Sequence, residues 1–280
     1  MIKSILFCTD GSEYSGVAGD YAIWLAQKLR ARIVALHVTD VRLLEGPLLA
    51  DLSGAIGAQP YEALVPQLQE IQKQHAAVIL DAVADRCRQA GVQCSALPRT
   101  GSLVENIADE ETRTELVVLG QRGEHAQTIG QFLGSSVERV VRHSIKPCLI
   151  TPDKFREIRQ VLMAYDGSAQ SSKSLQGAIE LCQALNLKLD IVTVVPAPPE
   201  MGVTPALEDA VRMARDHGIE PSPETLVGHA EQQILECAER RQADLIVMGA
   251  YGHTRIRELV LGSTTSYVVR KSSVPVLLTR

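Results

Sequence analysis

SILFCTDGSEYS at positions 4–15 is met again as QVLMAYDGSAQS at 160–171. Each copy is a short apolar run closed by Asp-Gly-Ser and followed by a helix-like segment. ELVVLGQRG (115–123) is answered by DLIVMGAYG (244–252), and LGSSVERVVRHSIKPCLIT (133–151) by LGSTTSYVVRKSSVPVLLT (261–279). Landmarks that recur in one order at a long period mark a duplicated unit. The middle of the first half is the longer of the two, and the surplus is expected after Val38, in the loop-like run DVRLLEGPLLADLSGAIGAQP (40–60). Its 42–58 portion is expected to serve as a lid or partner-binding segment, with Leu43, Leu44, Leu48, Leu49 and Leu52 buried against the neighbouring half. The charged run DKFREIR (153–159) reads as a linker between domains 1–152 and 160–280.

Within a half, runs such as SILFC, RIVALHV and ELVVLG lack polar alternation, which suits strands buried on both faces of a parallel sheet. Helix-length segments separate them: YSGVAGDYAIWLAQKLRA, QEIQKQHAAVILDAVADRCRQAG stopped by Gly91, SSKSLQGAIELCQALN, and ALEDAVRMARDHG ending at Gly218. Alternating β and α elements imply right-handed crossovers onto one sheet. The expected fold class is α/β: two repeated open-sheet domains, each a five-stranded parallel sheet of order 3-2-1-4-5 with helices on both faces.

Composition narrows the function. With 28 Lys+Arg against 33 Asp+Glu the formal charge is −5, which opposes counterion-driven nucleic-acid binding. Aromatics are 4% with one Trp, so stacking platforms for bases are scarce. No apolar stretch is long enough for a membrane span, and the N-terminus lacks the apolar run of a signal peptide. The six cysteines and seven histidines are dispersed without metal-ligand spacing, and the cysteines read as core residues of a reducing compartment. A cytoplasmic protein without nucleic-acid or membrane partners is expected.

In open α/β sheets ligands bind outside the strand carboxyl ends, where strand order reverses. Asp10 and Asp166 close the first strands of their halves, Gly120 and Gly249 the fourth, and Val38 and Val194 stand in the second. Gly134-Ser135-Ser136 and Gly262-Ser263-Thr264 open the following helix, whose N–H groups and dipole favour an anion. Gly123 and Gly252 complete a turn that lets backbone approach phosphate. Taken singly, each feature has a plain use as turn or N-cap. Their convergence on one crevice in both halves favours a nucleotide, with Asp accepting from base or ribose. No Gly-x-x-x-x-Gly-Lys and no Gly-x-Gly-x-x-Gly occurs, which excludes a P-loop ATPase and a dinucleotide dehydrogenase.

The second half resembles the universal stress protein family, whose ATP-binding members carry Gly-x2-Gly-x9-Gly-[Ser/Thr]: Gly249-AY-Gly252-HTRIRELVL-Gly262-Ser263 fits throughout. The first half resembles it through CTDGS, LHV, Gly120-QR-Gly123, Gly134-Ser135 and KPCLIT, but places ten residues between Gly123 and Gly134 and puts Glu124 after the glycine. The chain is similar to tandem members, in which one chain carries the two domains that others pair as a dimer. The resemblance implies ATP, with or without Mg²⁺, in a nucleotide-dependent sensor of the stress response. It also leaves open a ligand-free scaffold, or slow hydrolysis and autophosphorylation without a dedicated catalytic constellation. It implies further that KPCLIT and VPVLLT, as apolar edge strands, pair the halves into an intrachain pseudo-dimer. A homodimer is expected on the general frequency of two-fold assemblies. Longer spacing and Glu124 make the first-half site the weaker one, while His253, Arg255 and Arg257 favour the second.

Overall fold

The computed structural model describes residues 2–39, 59–123, 135–197, 204–250 and 261–279; for 59–65 and Ser135 the backbone alone is described. The first repeat runs β1 (Ser4–Cys8), α1 (Glu13–Leu29), β2 (Arg32–Thr39), α2 (Gln59–Gln89), β3 (Cys94–Thr100), α3 (Leu103–Glu111), β4 (Leu116–Gly120), α4 (Ser135–His143) and β5 (Cys148–Thr151). The second runs β6 (Gln160–Ala164), α5 (Ala169–Leu185), β7 (Lys188–Val195), α6 (Pro205–Asp216), β8 (Ser222–Val227), α7 (Ala230–Arg240), β9 (Leu245–Gly249), α8 (Ser263–Lys271) and β10 (Val276–Thr279).

All ten strands form one sheet, in the order β3-β2-β1-β4-β5-β10-β9-β6-β7-β8. Each repeat therefore has the expected order 3-2-1-4-5. Neighbours within a repeat are parallel, and the seam between repeats is antiparallel, pairing Val276 with Ile150, Leu277 with Leu149 and Leu278 with Cys148. KPCLIT and VPVLLT are thus edges of their own five-stranded sheets and the centre of the combined one, where every residue of β5 and β10 is buried. The outer edges are β3 and β8, largely exposed and carrying Pro98 and Pro223. A proline removes a ladder donor, which suits an edge.

Side chains alternate across the sheet into two cores. One holds Phe7, Tyr21 and Leu80 of the first repeat with Met163, Leu175 and Leu207 of the second. The other holds Leu6, Ile107 and Val140 with Leu162, Ile234 and Val268. The first lies under α1, α2, α5 and α6, the second under α3, α4, α7 and α8.

The stretch 152–159 has charged residues but is not a loose tether. Ile158 is buried. Tyr21 of α1 stacks on Phe155 with ring centroids 4.8 Å apart, and its hydroxyl accepts from the Arg156 amide at 3.0 Å. Asp244, just before β9, accepts from the amides of Arg159 and Gln160 at 3.0 and 3.1 Å. The connection is fastened to both repeats because its backbone donors find partners on each.

The surplus of the first repeat is in part helix, which corrects the expectation of a loop through Pro60. α2 begins at Gln59, so Pro60 falls in its first turn, where a missing N–H costs nothing. Pro66 lies inside the same helix. Residues 40–58, with the leucines expected to act as a lid or partner segment, lie outside the described residues.

Candidate functional site

Both Asp-Gly-Ser segments fold alike. Gly11 and Gly167 take φ of +82° and +78°, in the left-handed region that glycine tolerates. Ser12 and Ser168 cap α1 and α5, their hydroxyls accepting from the amides of Ser15 at 3.2 Å and Ser171 at 3.0 Å. Asp10 Oδ1 accepts from the Ser12 amide at 3.0 Å, and Asp166 Oδ1 from the Ser168 amide at 2.9 Å. The motif is first a turn and a cap, and it leaves an aspartate standing at the carboxyl end of β1 or β6. Ser168→Ala is expected to cost about 1 kcal/mol in a urea titration, and Ser168→Gly only a few tenths, since an open cap can be solvated.

In the second repeat the strand order reverses between β6 and β9, and a cleft of about 290 Å³ opens there. It brings together Asp166, Val194, Gly249, Gly262, Ser263 and Thr264, six of the seven second-half residues expected from sequence; Gly252 lies outside the described residues. Val192, Val194, Ile234 and Met248 give it an apolar wall. The N-terminus of α8 also lines it, starting after Gly262 with φ −55° and ψ 142° and receiving no side-chain cap among the described residues. α1, α5 and α6 are each closed by a Ser or Thr hydroxyl, whereas α3 and α7, like α8, are not. A helix start without a capping side chain leaves N–H groups that can receive an anion.

Thr265 was missed from sequence. It is buried, and its hydroxyl donates to the Gly249 carbonyl at 3.1 Å, tying the start of α8 to the end of β9 and fixing the cleft's width. Ile234, from α7, was also missed. It belongs to a helix far along the chain with no motif of its own, and only packing brings it to the wall. The one signal for Thr265 was its place in the run Gly-Ser-Thr-Thr.

In the first repeat the corner is built from Asp10 and the turn after β4. A Cβ on Gly123 would lie 2.6 Å from Asp10 Oδ2, so the turn Gln121-Arg122-Gly123 rests directly on the aspartate. Arg122 stands over the Tyr14 ring, 5.8 Å from its centroid. Gly120 is a glycine because α1 passes close: a Cβ there would meet the Tyr14 backbone at 3.0 Å. Val38 joins the second core, and Ser136 is half-buried in α4. Gly134, Glu124, His253, Arg255 and Arg257 lie outside the described residues. Gln121 is buried, and its side-chain amide donates to the Val269 carbonyl of α8, linking the first glycine turn to the helix that opens at the second cleft.

Among the described residues no group of three or more His, Cys, Asp or Glu is placed to hold a metal ion, and no helix is long and apolar enough to cross a membrane. All six cysteines are free and five are buried. Burial pushes the Cys148 and Cys182 thiols up to about 12, far from a reactive thiolate.

A duplicated doubly wound sheet with a cleft at a switch point of strand order defines a class of tandem α/β proteins. The model of the Universal stress protein family matches residues 1–152 and again 157–280, and the chain belongs to that family with two such domains. It is 39% identical over 287 residues to Universal stress protein Slr1230 of Synechocystis, covering 100% of both chains. A universal stress protein of Mycolicibacterium smegmatis is 24% identical over 274 residues, covering 91% of this chain and 92% of its own. Among solved structures, a universal stress protein from Archaeoglobus fulgidus superposes with a TM-score of 0.74 at 24% identity, covering 99% of this chain and 98% of its own. A second, from Pseudomonas aeruginosa, gives 0.66 at 16% identity, covering 99% and 93%. Both share the fold over the whole chain.

Proposed function

We propose that the protein binds ATP in the second-repeat cleft and acts as a nucleotide-dependent sensor or signalling module of the stress response. The observation that carries this reading is the convergence of Asp166, Val194, Gly249, Gly262, Ser263 and Thr264 on one cleft at an uncapped helix start. The residues present fit the ligand's three parts. The apolar wall suits a flat base, Asp166 suits the donors of a base or ribose, and the α8 amides with Ser263 and Thr264 suit phosphate oxygens. Gly252 completes the phosphate turn by its motif. ATP would bring a transferable phosphoryl group, and the chain supplies binding and orientation rather than an evident catalytic base. In the first repeat Asp10, Val38, Gly120, Gly123, Gly134, Ser135 and Ser136 form the weaker or empty counterpart. The ten-residue spacing between Gly123 and Gly134 and the charge of Glu124 support that asymmetry. The domains are taken as 1–152 and 160–280 with 153–159 between them, in a cytoplasmic protein.

Mass spectrometry after native purification and denaturation tests the reading. Released ATP supports a sensor, and ADP supports slow turnover. No nucleotide, even after incubation at millimolar ATP, leaves a ligand-free interaction scaffold.

A further inference from the structure

Cys87 and Cys94 stand on either side of the sharp turn that joins α2 to β3. Gly91 takes φ of +69° there, and the Val92 amide donates to the Cys87 carbonyl at 2.8 Å, so the chain folds back on the last turn of the helix. Cys94, the first residue of β3, is thereby laid against the core that holds Cys87. The two thiols meet as donor and acceptor, with Cys87 donating to the Cys94 sulfur. That hydrogen bond holds the Cys94 thiol below the usual thiol range, against its partial burial, and holds Cys87 above it. Cys87 is wholly buried, whereas Cys94 is half-buried on an outer edge strand, where solvent can reach it.

The second repeat shows that the turn does not need the thiols. The Ile219 amide donates to the Ala214 carbonyl at 3.0 Å and Gly218 takes φ of +76°, so Ala214 and Pro221 occupy the places of Cys87 and Cys94. Ala214 is as fully buried as Cys87, and a methyl group is enough for the core there. The remaining cysteines are in a different state. Cys8, Cys148, Cys182 and Cys237 are all buried, and burial raises each of their thiols.

We propose that Cys94 and Cys87 form a peroxide-responsive dithiol, which a hydroperoxide converts to a reversible disulfide. Cys94, as thiolate, attacks one peroxide oxygen; the S–O bond forms, the O–O bond breaks, and the leaving hydroxide takes up a proton as water. The Cys87 sulfur then attacks the Cys94 sulfenic acid, forming the S–S bond and breaking the S–O bond, and its proton leaves with the hydroxyl as a second water. The pair has lost two electrons and the peroxide has gained them. A dithiol reductant reverses the change by exchange at sulfur. The chemistry does not depend on what the second-repeat cleft binds.

Peptide mapping of the full chain after brief exposure to hydrogen peroxide tests this. Trypsin cuts after Arg86, Arg88 and Arg99, which separates the two cysteines, so a disulfide joins Cys87-Arg88 to the 89–99 peptide in non-reducing mass spectrometry. The parent is expected to yield that linked pair, to lose Cys94 to peroxide at least about tenfold faster than Cys237, and to regain both thiols with dithiothreitol. Cys87→Ala, which copies Ala214, should instead accumulate a Cys94 sulfenic acid that dimedone captures, and Cys94→Ser should leave Cys87 reduced. A parent in which Cys94 reacts no faster than Cys237 overturns the proposal. So does oxidation of Cys94 that proceeds to the sulfinic acid without joining Cys87.

Discussion

Val194→Trp should lower ATP affinity at least about a hundredfold, close to 3 kcal/mol, while leaving the fold intact. Val194 is half-buried at the cleft mouth of β7, so an indole there finds open space rather than packed core. That space is the room a flat base would need beside Ile234 and Met248. The matching change in the first repeat, Val38→Trp, should leave the titration curve unchanged, because the longer Gly123–Gly134 spacing and Glu124 disfavour phosphate there. Gly252→Val should act like Val194→Trp by its motif: a β-branched side chain blocks phosphate approach and opposes the backbone angles glycine allows. Gly123→Val is the poorer control, since its first carbon collides with Asp10 whatever binds. Isothermal titration of the variants decides the matter. An unchanged Val194→Trp isotherm, or binding lost only in Val38→Trp, would place the nucleotide elsewhere.

The other large effect lies at the seam between repeats. Leu149→Asp is expected to destabilise the chain by about 5 kcal/mol, through lost burial and a carboxylate without a partner. Leu149 is 2% exposed and stands opposite Leu277 across the antiparallel pair. Leu149→Ala, which only opens a cavity, should cost about 2–5 kcal/mol. Because 152–159 and the seam fasten the repeats together, scanning calorimetry should show the parent melting in one transition. The Asp variant should melt ~10 °C or more lower, with proteolysis appearing at 153–159. Two independent transitions in the parent, unchanged in the variant, would mean that the repeats are separate bodies.

Strand, helix and turn positions were legible in the chain because they rest on local chemistry. SILFC and ELVVLG lie in a doubly covered sheet and show no polar alternation, and Asp-Gly-Ser writes its turn and cap in three residues. The repeat made the strand order legible twice. The cleft was legible where a motif marked it, at Gly249, Gly262, Ser263 and Thr264. It was illegible at Ile234 and Thr265, whose roles depend on distant partners. The start of α2 was not legible, because the Gly, Leu and Pro content of 40–60 reads as loop and the chain carries Pro60 and Pro66 into the helix. In the structure one falls in the first turn, and the other is carried within a helix anchored at its far end by Ala76, Ile79, Leu80 and Val83.

The amino-acid sequence by itself determined that this protein is two copies of one five-stranded α/β unit, each with an Asp-Gly-Ser turn, a glycine pair and a Gly-Ser run before a helix. These are short-range patterns, and duplication makes them unmistakable. Only the tertiary structure decided that β5 and β10 join in register, that Gly123 rests on Asp10 in one repeat, and that Gln121 reaches α8 in the other. Each is a contact between residues far apart in the chain. Such contacts are selected by shape and by the demand that buried polar groups find partners, which no local pattern records.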